Sequence, residues 1–286
     1  MKTNKSIVMD GKSIKKNILE ELKEEVSLLE VKPKLVVIQV GNDDASNVYI
    51  KQKKKMAEYI GYEYEHIKLE STITTEEILN IIDGLNNDKK VNGIMVQMPL
   101  PKGIDTDKIQ NAVIPEKDVD GLSDMNAGLL FHNKDALFSC TPYGVMELLK
   151  RYNISLEGKN AVVVGRSNLV GKPMGMMLLN AGATVTVCHS KTKDIEKITK
   201  KADILISCVG KAKFITKDMV KKGSVVIDVG ITRSEEGLCG DVDFIEVAPN
   251  TKYITPVPGG VGPMTVAMLG MNVMKAYKEQ KGIKNV

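Results

Sequence analysis

Residues 162–173 read Val-Val-Val-Gly-Arg-Ser-Asn-Leu-Val-Gly-Lys-Pro, and this segment decides the fold class. The β-branched residues predict a buried strand, the first glycine predicts a tight turn, and the residues after it are suited to begin a helix. Such a unit presents free backbone N–H groups and the positive end of a helix to an anion such as a dinucleotide phosphate. Arg166, one of only three arginines in the chain, lies inside this turn. Its planar, permanently charged side chain suits a phosphate.

The rest of the chain alternates helix-like and strand-like segments, which predicts an α/β fold made of two units joined near residues 120–142. A polar, turn-rich region is expected over 101–140, and the proline- and glycine-rich segment 256–263 is expected to be irregular. The predicted helices are 10–29, 44–60, 74–87, 142–152, 172–181, 194–201 and 264–279. The predicted strands are 35–40, 62–69, 93–98, 160–164, 184–188, 203–208 and 224–229.

Composition excludes several classes of function. The 286 residues are 43% hydrophobic and 27% charged, as in ordinary globular proteins, and the formal net charge is only +4. The lysines are spread along the chain without a basic arm or an aromatic stacking surface, which argues against a nucleic-acid partner. The small positive charge is compatible with a mildly basic cleft that binds an acidic small molecule. We expect no signal peptide, since the first residues lead into no long apolar run, and no stretch approaches membrane-spanning length. The expectation is a soluble, cytoplasmic protein with no membrane partner.

The four cysteines, Cys140, Cys188, Cys208 and Cys239, are scattered and form no CxxC pair. This spacing is typical of reduced thiols in a cytosolic protein, so we expect neither a disulfide framework nor a metal site.

The glycines of the turn, Gly165, Gly171 and Gly175, do not follow the G-x-G-x-x-G spacing, so the turn alone fits a phosphate site or a simple connector. The next predicted strand ends in His-Ser-Lys-Thr at 189–192. NAD-specific sites usually carry an acid at this position, and this chain offers hydroxyls and cations, with Arg166 nearby. The combination favours NADP over NAD. The alternative is that Ser190 and Thr192 are ordinary turn residues at a strand end.

Three further features are candidates for chemistry. Tyr49 and Lys53 are four residues apart on a predicted helix and share one face, although a solvated lysine face gives the same pattern. Gln97 is polar within an apolar strand, so it is either a satisfied core amide or a group that faces a ligand at the carboxyl end of the strand. Asp120 lies in the segment Lys-Asp-Val-Asp-Gly at 117–121, which also fits a plain acidic turn.

Taken together and in order, these motifs resemble the bifunctional methylenetetrahydrofolate dehydrogenase/methenyltetrahydrofolate cyclohydrolase family over nearly the whole chain. The glycine-rich block at 258–265 is its most specific motif. The motifs are Tyr-x-x-x-Lys at 49–53, Val-Gln-Met-Pro-Leu-Pro at 96–101, Lys-Asp-Val-Asp-Gly at 117–121, Cys-Thr-Pro-x-Gly at 140–144, Gly-Arg-Ser-x-x-Val-Gly-x-Pro at 165–173, His-Ser-x-Thr at 189–192, Asp-Val-Gly-Ile at 228–231 and Pro-Gly-Gly-Val-Gly-Pro-Met-Thr at 258–265.

The resemblance implies oxidation of 5,10-methylene-tetrahydrofolate with NADP to the methenyl compound, which is then hydrolysed to 10-formyl-tetrahydrofolate. It implies two α/β domains that flank a cleft, the second a Rossmann-like nucleotide-binding domain. The folate-binding catalytic domain is then 1–139, completed by the C-terminal helix at 264–286, and the NADP-binding domain is 140–263. The partners implied are a folate substrate, with or without a polyglutamate tail, and a second copy of the chain, bound through the nucleotide-binding domain.

The resemblance also assigns roles on the folate side. Lys53 is the catalytic lysine, Gln97 assists it, Tyr49 packs on the folate and Asp120 binds the pterin. The chemistry agrees, because a lysine can both take and return a proton only if burial or neighbouring cations lower its pKa toward neutrality. The exposed neighbours Lys54 and Lys55 are the cations in question. Two further residues, Gly262 and Thr265, are implied to border the folate.

On the cofactor side, Arg166 and Ser190 are implied to hold the 2′-phosphate. Gly165, Ser167 and Ile231 are implied to line the rest of the cofactor, with Ile231 near the nicotinamide. The chain differs from the family pattern at Ser123-Asp124, where His-Pro is common, and at Thr232, where asparagine is common.

Two alternatives to the bifunctional enzyme stay open at this point. One is a dehydrogenase with weak or absent cyclohydrolase activity. The other is a catalytically silent protein that binds NADP or folate. An assay of methenyl-tetrahydrofolate hydrolysis distinguishes the first alternative from the bifunctional enzyme. An assay of nicotinamide reduction distinguishes the second.

Overall fold

The computed structural model describes residues 6–234 and 237–283. The chain forms two compact units. The six-stranded unit comprises the described residues up to Lys15 together with Thr141–Thr265. The three-stranded unit comprises Lys16–Cys140 and the described residues from Val266 onward. The mixed α/β fold with two units confirms the predicted fold class.

Two short 3₁₀ turns, Lys217–Met219 and Ala248–Asn250, accompany the regular elements. The strands are β1 (Ile7–Val8), β2 (Lys34–Val40), β3 (Glu63–Leu69), β4 (Gly93–Val96), β5 (Asn160–Val164), β6 (Thr184–Cys188), β7 (Ile204–Ser207), β8 (Ser224–Asp228), β9 (Thr232–Ser234), β10 (Gly237–Cys239) and β11 (Thr251–Ile254). The α-helices are α1 (Gly11–Ser27), α2 (Asp44–Ile60), α3 (Thr75–Asn87), α4 (Thr106–Ala112), α5 (Asp124–Phe131), α6 (Cys140–Arg151), α7 (Gly171–Asn180), α8 (Ile195–Thr199), α9 (Phe244–Val247) and α10 (Val261–Gln280).

The six-stranded unit is built on a parallel sheet in the order β1-β11-β8-β7-β5-β6. Its inner strands are apolar and buried, as expected for strands covered on both faces. The chain runs from β5 outward to the edge strand β6 and then returns to β7 on the other side of β5. The strand order therefore reverses between β5 and β7, and ligands of open α/β sheets bind outside the carboxyl ends of the strands at such a point.

The three-stranded unit contains a parallel sheet in the order β3-β2-β4. Helix α2 follows β2 directly, and its ends carry clear signals. The side chain of Asp43 accepts the backbone N–H of Ser46 at 2.8 Å, and Gly61 ends the helix in a left-handed conformation with φ +93°. These caps fix the residues at which α2 begins and ends.

The first described residues differ from the predicted domain 1–139. Strand β1 pairs in parallel with β11, with Ile7 opposite Tyr253, so these residues belong to the six-stranded unit. A strand of two residues gives no periodicity, which is why the sequence did not predict it.

Two predicted irregular regions contain helices. The turn-rich region 101–140 includes α4 and α5, capped by the side chains of Asp105 and Ser123. Helix α10 begins at Val261, inside the segment predicted to be irregular up to residue 263. Strand β4 ends at Val96, two residues earlier than predicted, so Gln97 lies just beyond the strand.

None of the helices in the described part of the chain is long and apolar enough to cross a membrane.

Candidate functional site

The turn after β5 is packed so tightly that two of its positions have no room for a side chain. Gly165 has φ +132°, and a Cβ there would lie 2.5 Å from Sγ and 2.6 Å from the carbonyl oxygen of Cys208. A Cβ on Gly171 would lie 2.3 Å from the carbonyl oxygen of Gly165. Only glycine allows the strand, the turn and the helix to approach this closely. Nucleotide-binding turns use glycine for the same reason.

The helix that follows this turn, α7, begins without a side-chain cap on its N-cap residue Val170. The hydroxyl of Ser167 accepts the N–H groups of Val170 at 3.2 Å and Gly171 at 3.4 Å, both long bonds. Arg166 and Ser167 are exposed beside them. A tight glycine turn, a weakly capped helix start and an exposed arginine fit the phosphates of a dinucleotide.

The turn at 189–192 lies at the same edge of the sheet. Val164 of β5 is in register with Cys188 of β6, and the N–H of Gly165 donates to the carbonyl of Cys188 at 2.9 Å. Within this turn the hydroxyl of Thr192 accepts the N–H of His189 at 2.9 Å. Thr192 thus has the turn-forming role weighed above as the alternative, whereas Ser190 is exposed.

Two buried carboxylates hold the loops after β7 and β8. Asp241 accepts the hydroxyl of Ser207 at 3.0 Å and the N–H groups of Val209 and Lys211 at 2.7 and 2.9 Å. Asp228 accepts the N–H groups of Gly230, Asp241 and Val242 at 2.8 to 3.0 Å. Sequence reasoning missed Asp241, whose only signal is an acid directly after a glycine in an apolar context.

Three other predicted residues follow in the same unit. Ile231 comes directly after the loop at Gly230 and is 50% exposed. A Cβ on Gly262 would lie 3.6 Å from Cδ1 of Ile231. The hydroxyl of Thr265 lies 3.2 Å from that of Thr141. Ile231 and Gly262 are therefore neighbours, which the sequence did not predict.

In the three-stranded unit, a buried lysine meets a buried amide. Lys53 on α2 is only 7% exposed, and its Nζ donates to Oε1 of Gln97 at 2.6 Å. Gln97 is 8% exposed, and its Nε2 donates to the carbonyl of Met98 at 2.6 Å, which orients the amide oxygen toward the lysine. Gln97 thus contacts Lys53 without carrying a charge.

Burial lowers the pKa of Lys53, and the carboxylate of Asp120 opposes that effect. The cause is therefore burial and not the neighbouring cations, since Lys54 is exposed and paired with Glu58. Burial raises the pKa of the Asp120 carboxyl to about 6, against the attraction of Lys53. A lysine whose pKa is lowered by burial and a carboxyl whose pKa is raised toward neutrality are the properties expected of an acid–base site.

The residues of the turn at 117–121 have different roles. Nζ of Lys117 donates to three carbonyls at the end of α3, at 2.8 to 3.0 Å. The carboxylate of Asp118 accepts the N–H groups of Gly121 and Ser123 and Nδ2 of Asn126, also at 2.8 to 3.0 Å. Lys117 and Asp118 thus anchor the turn, and the carboxylate of Asp120 remains beside Lys53.

The departure from the family pattern at 123–124 has a local explanation. The hydroxyl of Ser123 accepts the N–H of Asn126 at 3.3 Å and caps α5, and Asp124 opens the first turn of that helix. Tyr49 lies one turn before Lys53 on α2 and is 47% exposed.

The predicted site residues fall into two groups. Tyr49, Lys53, Gln97 and Asp120 lie in the three-stranded unit, and Gly165, Arg166, Ser167, Ser190, Ile231, Gly262 and Thr265 lie in the six-stranded unit.

Comparison with known proteins identifies a catalytic part and an NAD(P)-binding part of the chain. Residues 9–120 match the catalytic domain of tetrahydrofolate dehydrogenase/cyclohydrolase, and residues 139–281 match the NAD(P)-binding domain of the same family. A protein of Agathobacter rectalis named bifunctional protein FolD is 54% identical over 275 residues, which cover 95% of this chain and 99% of the relative.

Solved structures agree. The bifunctional FolD enzyme of Campylobacter jejuni has a TM-score of 0.94 at 49% identity and covers 96% of this chain and 99% of its own. The Trypanosoma brucei enzyme, solved with NADP cofactor and an inhibitor, has a TM-score of 0.90 at 37% identity, with 96% and 98% covered. The chain belongs to the tetrahydrofolate dehydrogenase/cyclohydrolase family.

Proposed function

We propose that this chain oxidises 5,10-methylene-tetrahydrofolate with NADP and hydrolyses the methenyl product to 10-formyl-tetrahydrofolate, with Lys53 as the acid–base group of the hydrolysis. The observation that carries the proposal is the buried Lys53 bonded to the neutral amide of Gln97. Most lysines lie in water and stay charged at neutral pH, so a buried lysine held by an amide is unusual and chemically competent.

Hydrolysis needs a proton to be taken from water and later returned. Water attacks the cationic methenyl carbon, and the neutral amine of Lys53 removes the proton as the C–O bond forms. The same proton is returned to the ring nitrogen as the C–N bond breaks. The hydroxyl proton that remains on the intermediate leaves to solvent as the formyl carbonyl forms, so one proton is released per turnover. Gln97 orients the lysine with an uncharged amide. A carboxylate in its place would stabilise the protonated amine and raise the pKa of Lys53.

The folate is positioned by the neighbours of Lys53. Asp120 accepts two N–H bonds from the amino-pyrimidine edge of the pterin, a charge-assisted pair. Tyr49 supplies a flat surface for stacking, which holds the reacting carbon in place. Gly262 and Thr265 border the folate.

The six-stranded unit binds the cofactor. NADP, when bound, supplies the nicotinamide that accepts the hydride from the methylene carbon. The turn at Gly165 and Ser167 would hold the phosphates, Arg166 and Ser190 would hold the 2′-phosphate, and Ile231 would lie on the nicotinamide side. The cation and hydroxyl at this corner, in place of an acid, support NADP over NAD.

Further aspects of the function rest on the family resemblance alone. The enzyme acts in the cytoplasm, in one-carbon metabolism that serves the synthesis of purines, histidine and methionine. It works as a homodimer joined through the nucleotide-binding domain and accepts folates with or without a polyglutamate tail.

The affinity for folate is expected to fall in acid. Because the pKa of Asp120 is raised to about 6, lowering the pH below that value protonates the carboxyl and removes its charge from the pterin edge. The dissociation constant of folic acid, a pterin that does not react, should rise by up to about tenfold per pH unit below the pKa. An Asp120→Asn variant should bind folic acid weakly at every pH, and its dissociation constant should not rise further below about pH 6. The same rise in the variant would show that Asp120 does not bind the pterin.

A spectrophotometric assay tests the proposed function. Methylene-tetrahydrofolate is supplied with NADP and then with NAD, and the absorbance of the reduced nicotinamide is followed. We expect rapid reduction of NADP and slower reduction of NAD. Saturable binding of NADP without any absorbance change would identify a silent binding protein instead.

A further inference from the structure

Asn272 on α10 is a buried amide with an unusual set of hydrogen bonds. The residue is 1% exposed, and its Nδ2 donates to the carbonyl oxygens of Val119 at 2.9 Å and Phe138 at 2.8 Å. Its Oδ1 is buried and has no hydrogen-bond partner among the described residues. A buried acceptor without a partner costs about 1–3 kcal/mol, so this asparagine is not explained as a well-satisfied core residue.

The two carbonyls belong to segments that meet beside the acid–base site. Val119 directly precedes Asp120, and its carbonyl also accepts the Sγ–H of Cys140 at 3.4 Å. Phe138 packs against Gly121 so closely that a Cβ on Gly121 would lie 2.2 Å from the carbonyl carbon of Phe138. One amide therefore links the carbonyl just before Asp120 to the Phe138 segment, which packs against Gly121 just after it.

We propose that Asn272 is a positioning residue, which fixes the Val119–Asp120 backbone so that the Asp120 carboxylate is held toward both Lys53 and the pterin. The proposal rests on the proposed roles of Lys53 and Asp120. Asn272 itself touches neither folate nor cofactor in this account. It acts through the carbonyl of Val119, one bond from the residue that it positions.

The orientation of the Asn272 amide supports this role. Only the Nδ2 end can donate to two carbonyl oxygens, and a flipped amide would place Oδ1 against both of them. The cost of the unpaired Oδ1 is thus a direct consequence of using both hydrogens on the Val119 and Phe138 carbonyls. A hydrophobic side chain of similar size would fill the space but donate no hydrogen bond to either carbonyl.

Asn92 provides a matched control. It is buried in the same unit and also contacts α10, since its Nδ2 donates to Oε1 of Gln280 at 3.0 Å. Its Oδ1 accepts the N–H of Lys34 at 2.9 Å, so both ends of this amide are satisfied. Asn92 precedes β4, whereas Gln97 follows it, so Asn92 lies at the opposite edge of the sheet from the acid–base site.

The experiment compares Asn272→Leu with Asn92→Leu. For Asn272→Leu we expect the dissociation constant of folic acid to rise about tenfold, the equivalent of one lost or misplaced hydrogen bond. NADP affinity should be unchanged. The pH–rate profile of methenyl-tetrahydrofolate hydrolysis should also move to lower pH. The charged and titratable groups that face Lys53 are Asp120 and the Cys140 thiol, and a displaced Asp120 no longer raises the pKa of Lys53.

Asn92→Leu should cost stability but leave the folic acid affinity and the pH profile as in the wild type. If the two variants, both folded as judged by circular dichroism and thermal unfolding, give the same affinity and the same profile, the role of Asn272 is refuted. Should Asn272→Leu fail to fold, the smaller Asn272→Ser change should show the same two shifts, and wild-type values there also refute the proposal. A wild type that neither binds nor hydrolyses folates would instead overturn the proposed function.

Discussion

Replacing Lys53 by methionine should reduce hydrolysis of methenyl-tetrahydrofolate by a factor of about 10²–10⁴, the range for a lost general acid–base group. Methionine keeps the buried, unbranched shape and removes only the amine that takes and returns the proton. Lys53 is buried against Gln97, whereas Lys54 and Lys55 are exposed, so neither of them replaces the buried amine without a change of structure. Binding of NADP, whose predicted residues lie in the other unit, should survive.

The measurement is the first-order loss of methenyl-tetrahydrofolate, with circular dichroism as the check on folding and NADP affinity as the check on the other unit. Lys55→Met on the same helix is the matched control, because Lys55 is exposed and its amine is in water. We expect that control to hydrolyse at the wild-type rate. Undiminished hydrolysis by Lys53→Met would remove Lys53 from the mechanism.

Replacing Arg166 by alanine should weaken NADP binding by about 1.5–3 kcal/mol, or roughly 10- to 100-fold, which is the value of one charge-assisted contact. NAD lacks the 2′-phosphate, so its affinity should change little. Arg166 is exposed at the turn after β5, and Ser190 follows the neighbouring strand at the same edge of the sheet.

The test is the dissociation constant of each cofactor for the wild type and the variant. Lys172→Ala removes another cation from the same segment, one whose Nζ bonds to Asn168 at 2.7 Å, and should affect the two cofactors equally. Equal losses of NADP and NAD in Arg166→Ala would contradict the assignment of the 2′-phosphate.

Long periodic segments are the part of the fold that the sequence predicts well. Helix 44–60 agrees with α2 to the residue, because an aspartate cap and a terminal glycine mark its ends. Strand β5 and its glycine turn also occur where predicted. Strands β1 and β11 were missed since two to four residues carry too little pattern, and their pairing depends on contacts far apart in sequence.

The sequence predicts which residues belong to the site, but it does not predict their burial or their hydrogen-bond partners. Sequence alone places Gln97 at a strand end and Lys53 one helical turn from Tyr49, yet only packing shows that the amide and the amine are buried together. The same holds for Asn272 and Asp241, which look like ordinary polar residues in the sequence. Most of their partners are backbone groups of segments distant in sequence, which a local pattern does not reveal.

The most direct test of the account supplies methenyl-tetrahydrofolate to the wild-type chain without any nicotinamide cofactor and follows its disappearance. We predict first-order hydrolysis well above the rate in buffer, proportional to the enzyme concentration and lost in Lys53→Met. Decay at the buffer rate, in a preparation that reduces NADP with methylene-tetrahydrofolate, would show a dehydrogenase alone and contradict the proposed role of the buried lysine.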